Sequence, residues 1–142
     1  MSGTIDILLV EDDRTTVDLT LHVLRMHDLA DRVYVARDGK EAMEFFFNPR
    51  ARGAPTRPRL VLLDLKLPNG QGLDVLRRVK EDPRTHAIPV VVLSGSYSKQ
   101  DMVDAFDLGA NSFVQKPSGL DDLVDLYKGL TFYWLTLNKL PA

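Results

Sequence analysis

The chain has no cysteine in its 142 residues. That excludes a disulfide scaffold, a thiolate metal site and a cysteine nucleophile. No apolar run approaches the roughly 20 residues needed to cross a bilayer. No basic stretch followed by an apolar one opens the chain, so no signal peptide is expected. The formal net charge of -2 gives no general attraction to nucleic acid or to an anionic membrane. His22, His27 and His86 lack ligand spacing and read as surface or helix residues. No glycine-rich phosphate loop follows the first apolar run, where Glu11-Asp12-Asp13 would instead repel an anion. What remains is a soluble, cytoplasmic protein of one domain spanning 1–142, with 44% hydrophobic residues to build a core.

Strand and helix signals alternate along the chain. The run Ile5-Asp6-Ile7-Leu8-Leu9-Val10 ends in acid, and Leu60-Val61-Leu62-Leu63 ends at Asp64. Both read as buried strands, the second bounded by Pro68 and Gly70. Val33-Tyr34-Val35-Ala36, Ile88-Pro89-Val90-Val91-Val92-Leu93 and residues 111–115 are further strand candidates. Between them, helical spacing joins Val17, Leu21 and Leu24, then Ala42, Met43, Phe45 and Phe46, then Leu73, Leu76 and Val79. Helices are also expected over 102–108, capped by Gly109, and over 120–137. Asp13, Asp38 and Asp82-Pro83 read as caps and breakers, and 48–59, with Pro49, Gly53, Pro55 and Pro58, as a loop. Five βα units without a repeat imply an α/β fold, a parallel sheet covered on both faces. The expected architecture is flavodoxin-like and doubly wound, of strand order 2-1-3-4-5 with five helices, the last extended.

In that order Glu11, Asp12, Asp64, Ser94 and Lys116 all follow strand ends on one sheet edge, where ligands bind. Any one of them alone is ordinary turn or cap chemistry. Five at successive strand ends make an acidic pocket with one cation and one hydroxyl. Clustered carboxylates repel, and a hard divalent cation such as Mg²⁺ relieves that repulsion. Asp64 can then attack a phosphoryl group and form an acyl phosphate. Mg²⁺, the Lys116 ammonium and the Ser94 hydroxyl would share its three oxygens. The backbone carbonyl of Lys66 is placed to serve as a further metal ligand.

Four segments carry a specific resemblance: Leu9-Val10-Glu11-Asp12, Leu62-Leu63-Asp64-Leu65-Lys66-Leu67-Pro68, Val92-Leu93-Ser94-Gly95 and Phe113-Val114-Gln115-Lys116-Pro117. In order and spacing the chain resembles the receiver domain of two-component response regulators. The resemblance implies that Asp64 accepts a phosphoryl group from a sensor histidine kinase. It implies that Asp12 and Asp64 bind Mg²⁺ directly and Glu11 through water. Ser94 then matches the switch hydroxyl and Phe113 the aromatic switch, often Tyr in the family. The Lys116-Pro117 bond matches the family's cis peptide. Lys66 and Ser96 lie two residues past Asp64 and Ser94, where they would tune the lifetime of the acyl phosphate.

No output domain is expected after the receiver, so the signal would leave through surface contacts. The stripe Leu123, Tyr127, Leu130, Trp134 and Leu137 has helical spacing and could pack on the sheet. The last helix carries apolar residues on more than one face, which suggests an interface. A homodimer is expected through Phe106, Tyr127, Leu130, Tyr133 and Trp134, with Met102 extending the surface. The ending Tyr133-Trp134-Leu135 through Leu140-Pro141, with Leu108-Gly109-Ala110-Asn111, resembles stand-alone regulators paired with phytochrome-type (bacteriophytochrome) kinases. The basic loop of Arg50, Arg52, Arg57 and Arg59 departs from that subfamily, as does Ser94-Gly95-Ser96. The competing reading is an aspartyl-nucleophile phosphatase or phosphotransferase, which typically needs a second acid two residues after the nucleophile; Lys66 stands there. A receiver acting only as a phosphate sink is the other alternative.

Overall fold

Branched apolar runs become strands and the amphipathic stretches between them become helices. In the computed structural model, which describes residues 5–26, 28, 32–47, 57–96 and 98–140, the strands are β1 (Ile7–Val10), β2 (Val33–Ala36), β3 (Leu60–Asp64), β4 (Val90–Ser94) and β5 (Ser112–Gln115). The helices are α1 (Arg14–Met26), α2 (Gly39–Phe47), α3 (Gln71–Glu81), α4 (Lys99–Asp107) and α5 (Leu120–Phe132). A π-helical segment, Tyr133–Leu137, continues α5. The sheet is parallel, in the order β2-β1-β3-β4-β5. This is the expected doubly wound arrangement.

Alternation along each strand divides the core. Leu8, Val10, Val61, Leu63, Val90 and Val92 face α2, α3 and α4 in one apolar cluster. Ile7, Leu9, Leu60, Leu62, Val91 and Leu93 face α1 and α5 in the other. β1, β3 and β4 are buried at every position, as central strands of a covered sheet must be.

Several boundaries differ from expectation. β4 starts after Pro89, which has no N–H for the ladder although its carbonyl still accepts from Val61 at 2.9 Å. α4 begins three residues early because Ser98 caps it, its hydroxyl accepting from the Asp101 amide at 3.2 Å. The last helix is not α-helical throughout: beyond Phe132 the register loosens, and the Asn138 amide donates to the Tyr133 carbonyl at 2.7 Å. Gly109 closes α4 at φ 106°, its α-carbon against the aliphatic stem of Lys80. The Lys80 ammonium donates to the carbonyls of His86 and Ile88 and to Asn111 Oδ1, tying α3 to the starts of β4 and β5.

Tyr127 corrects the expected dimer surface. It is 0% exposed and packs among residues of β1, β4 and α1, with the adjoining Leu123, Leu130 and Trp134 half-buried on the same cluster. The helical stripe is therefore a core stripe at Tyr127. Phe106 and Tyr133 are exposed. His27, most of the loop 48–59, including Arg50 and Arg52, and Pro141 lie outside the described residues. Among the described residues no helix is long and apolar enough to cross a membrane.

Candidate functional site at the carboxyl edge of the sheet

Parallel register brings the acids together. Val10 pairs with Leu63, so Glu11 and Asp12 leave β1 beside Asp64 at the end of β3. Asp64 pairs with Leu93, which sets Ser94 next to it. The Lys116 amide donates to the Ser94 carbonyl at 2.7 Å, which fixes the start of the last loop at the same rim. α3 crosses close above: a Cβ on Gly72 would lie 2.6 Å from the Leu65 carbonyl oxygen and 3.0 Å from that of Asp64. Only glycine permits that approach.

Glu11, Asp12 and Asp64 each offer a carboxylate oxygen, all within 4.8 Å of one another. Glu11 and Asp64 are buried and Asp12 is exposed to water. Lys116 Nζ donates to Glu11 Oε1 at 2.9 Å, an ion pair with little exposure on either side. The second Glu11 oxygen accepts from the Asp13 amide at 3.2 Å. Asp64 Oδ1 accepts from the Lys66 amide at 3.0 Å. Burial, together with the neighbouring Asp64, pushes the Glu11 carboxyl up to about 7, against the pull of Lys116. Burial draws the Lys116 ammonium down, but the hydrogen bond and charge of Glu11, with the charge of Asp64, leave it raised overall.

The donor set fits a hard cation. It offers only oxygen ligands, one of them open to water, and no sulfur or imidazole. The raised Glu11 value has the same physical origin: carboxylates crowded at low dielectric cannot all ionise cheaply without a cation. Asp13 stands outside the cluster and caps α1, accepting from the Thr16 amide at 2.9 Å and the Thr16 hydroxyl at 2.7 Å.

The remaining expected site residues sit as follows. Ser94 is buried, and its hydroxyl donates to the Ser96 carbonyl at 2.6 Å. Ser96 is exposed. Phe113 is half-buried against the cluster on the α2–α3–α4 side. The Lys116-Pro117 bond is trans, which corrects the expected cis peptide. A trans bond suffices because the buried Glu11 carboxylate already holds the ammonium in the site. Sequence reasoning missed one neighbour: Asp101 in the first turn of α4, whose Oδ2 lies 3.8 Å from Lys66 Nζ. From sequence it reads only as an acid favoured near a helix N-terminus.

The family model of the response regulator receiver domain matches residues 7–128. The chain is similar to response regulator Rcp1 of Synechocystis, 36% identical over 136 residues that cover 96% of this chain and 92% of Rcp1. It superimposes on the phosphorylated cyanobacterial phytochrome response regulator RcpA with a TM-score of 0.88 at 36% identity, covering 99% of this chain and 100% of that one. The Mn²⁺-bound form of Rcp1 gives a TM-score of 0.86 at 36% identity, with 97% and 99% covered.

Proposed function

The chain belongs to the response regulator receiver family, and from that premise we propose that Asp64 takes a phosphoryl group from a phosphohistidine of a sensor histidine kinase. The observation that carries the reading is the convergence of Glu11, Asp12 and Asp64 within 4.8 Å, with Lys116 Nζ 2.9 Å from Glu11. An Asp64 oxygen attacks phosphorus, the O–P bond forms, and the bond from phosphorus to the imidazole nitrogen breaks. The kinase histidine keeps that electron pair and takes up a proton. Asp12 and Asp64 would hold Mg²⁺ with the Lys66 carbonyl, and Glu11 through water. Bound there, the ion neutralises charge on the transferring group. Lys116 exchanges Glu11 for a phosphoryl oxygen, and Ser94 turns from the Ser96 carbonyl to another. Phe113 then packs inward, and the change reaches the face built by α4, β5 and α5. Similarity to the Synechocystis and cyanobacterial phytochrome regulators supports a phytochrome-type kinase as the partner. Self-association would use Phe106 and Tyr133 with the half-buried Leu130 and Trp134.

The test is intact-protein mass spectrometry after incubation with acetyl phosphate, with Mg²⁺ and with EDTA. One phosphoryl group should be gained only with Mg²⁺, and none in a folded Asp64→Asn variant. Gain by that variant to the wild-type extent, or no gain by the wild type, would overturn the assignment.

A further inference from the structure

We infer that Asp101 is a positioning residue for the phosphoryl chemistry, holding the Lys66 ammonium until the phosphoryl group on Asp64 takes it, so that occupancy of Asp64 also releases the start of α4. The inference rests on Asp64 being the phospho-acceptor. Lys66 touches both ends of this link. Its amide donates to Asp64 Oδ1 at 3.0 Å, and its ammonium lies 3.8 Å from Asp101 Oδ2. One residue thus joins the phospho-acceptor to the first turn of α4 without involving Ser94 or Phe113.

The contact is made to be exchanged. At 3.8 Å it is an ion pair beyond hydrogen-bond distance, and the two side chains are 54% and 30% exposed. Exposed pairs of that kind contribute little to stability. A phosphoryl group brings roughly 1.5 to 2 negative charges against the single charge of Asp101. It would appear on the carboxylate to which the Lys66 amide is already bonded. The ammonium therefore moves to the phosphoryl oxygens. α4 survives the loss, because Ser98 still caps the Asp101 amide and an acid in the first turn suits the helix dipole. What α4 loses is its tether to the loop after β3.

The direction of the kinetic effect follows from the transition state. In the loose transition state charge is spread over the three phosphoryl oxygens, and a cation held there stabilises it, as Mg²⁺ and Lys116 do. Asp101 competes for the Lys66 ammonium, so it lengthens the life of the acyl phosphate.

The test is a double-mutant cycle of wild type, Asp101→Asn, Lys66→Met and the pair. Each is phosphorylated with acetyl phosphate and Mg²⁺, freed of donor, and followed by intact mass. Asp101→Asn should shorten the phosphoryl lifetime roughly two- to fivefold, the scale an exposed ion pair can deliver. In the Lys66→Met background the same substitution should change nothing. Equal lifetimes for wild type and Asp101→Asn would overturn the inference, as would an Asp101→Asn effect that persists without Lys66. No phosphoryl gain in any of the four chains would instead overturn the phospho-acceptor reading itself, and this inference with it.

Discussion

The carboxyl edge of the sheet and the last helix are both rich in residues that stand out in the sequence, yet only the first was readable from it. Charged groups at that edge converge because strand register leaves them no other place: Asp64 must stand beside Leu93 and the end of β1. The aromatics of the last helix have no such constraint. Tyr127 and Tyr133 are six positions apart in sequence, yet Tyr127 is 0% and Tyr133 49% exposed. A period of 3.6 residues places them on different sides of the helix, but it does not say which side meets the sheet. Chemistry at strand ends is legible where topology dictates position. A helix face is legible only once its neighbours are known.

The comparison breaks most visibly at the two tyrosines. Tyr127→Ala should cost about 3–5 kcal/mol of stability, the range for emptying a buried aromatic site, read from a denaturant midpoint. Tyr133→Ala should stay within about 0.5 kcal/mol, as an exposed change does, while lowering the mass in light scattering if the chain self-associates there. Equal stability effects would erase the distinction between core and surface on this helix. Tyr127→Phe adds a finer reading. Among the described residues the buried Tyr127 hydroxyl has no well-formed hydrogen bond; burial raises its pKa, and the nearby Thr20 hydroxyl offsets that only in part. Removal of the Tyr127 hydroxyl should therefore be neutral or slightly stabilising.

The same logic explains which parts of the site escaped sequence reasoning. Asp64 and Ser94 end their strands and Asp12 and Lys116 follow theirs, and strand ends are visible as stops of apolar runs. Asp101 lies in a helix, and its link to Lys66 depends on how far α4 stands from the loop after β3. The Ser98 cap was visible in principle, as a serine three residues before an acid. The trans geometry at Lys116-Pro117 and the π-helical turn after Phe132 left no local signal. The Arg59 contact with the far end of the chain spans too much sequence to be inferred from composition.

A second prediction sharpens the electrostatic half of the comparison. Glu11 holds its proton more tightly folded than unfolded, at about 7 against 4.5. Its folded-state pKa is raised, so its stabilising contribution is complete below 4.5 and is lost as pH rises through about 7. Lys116 is also raised, but from 10.5, and so does not titrate in this window. In EDTA, the melting temperature of the wild type should fall between about pH 5 and about pH 7.5 more than that of Glu11→Gln. Saturating Mg²⁺, which binds the ionised cluster, should raise the melting temperature more at the upper pH than at the lower. Parallel pH profiles for wild type and Glu11→Gln would contradict the origin assigned to the shift.

The most local expected effect tests why the last helix stays in place at its end. Arg59, one residue before β3, donates from Nη2 to the Leu135 carbonyl, and its Nη1 lies 3.6 Å from Asp6 Oδ1. That carbonyl belongs to the π-helical segment, where the looser register leaves backbone acceptors free for outside donors. The guanidinium fork thus joins the final turn to the amino ends of β1 and β3, opposite the acidic pocket. Removing it transfers the Leu135 carbonyl to water, so Arg59→Ala should cost only about 0.5–1.5 kcal/mol. The effect should be local. Amide hydrogen exchange over 136–139 should speed up, while protection within β1 and β3 stays that of the wild type. Arg59→Lys should recover only part of the protection, because one ammonium lacks the rigid fork that reaches both partners. Exchange that quickens equally in β1 and β3 would instead make Arg59 a support of the sheet, with its hold on the last helix secondary.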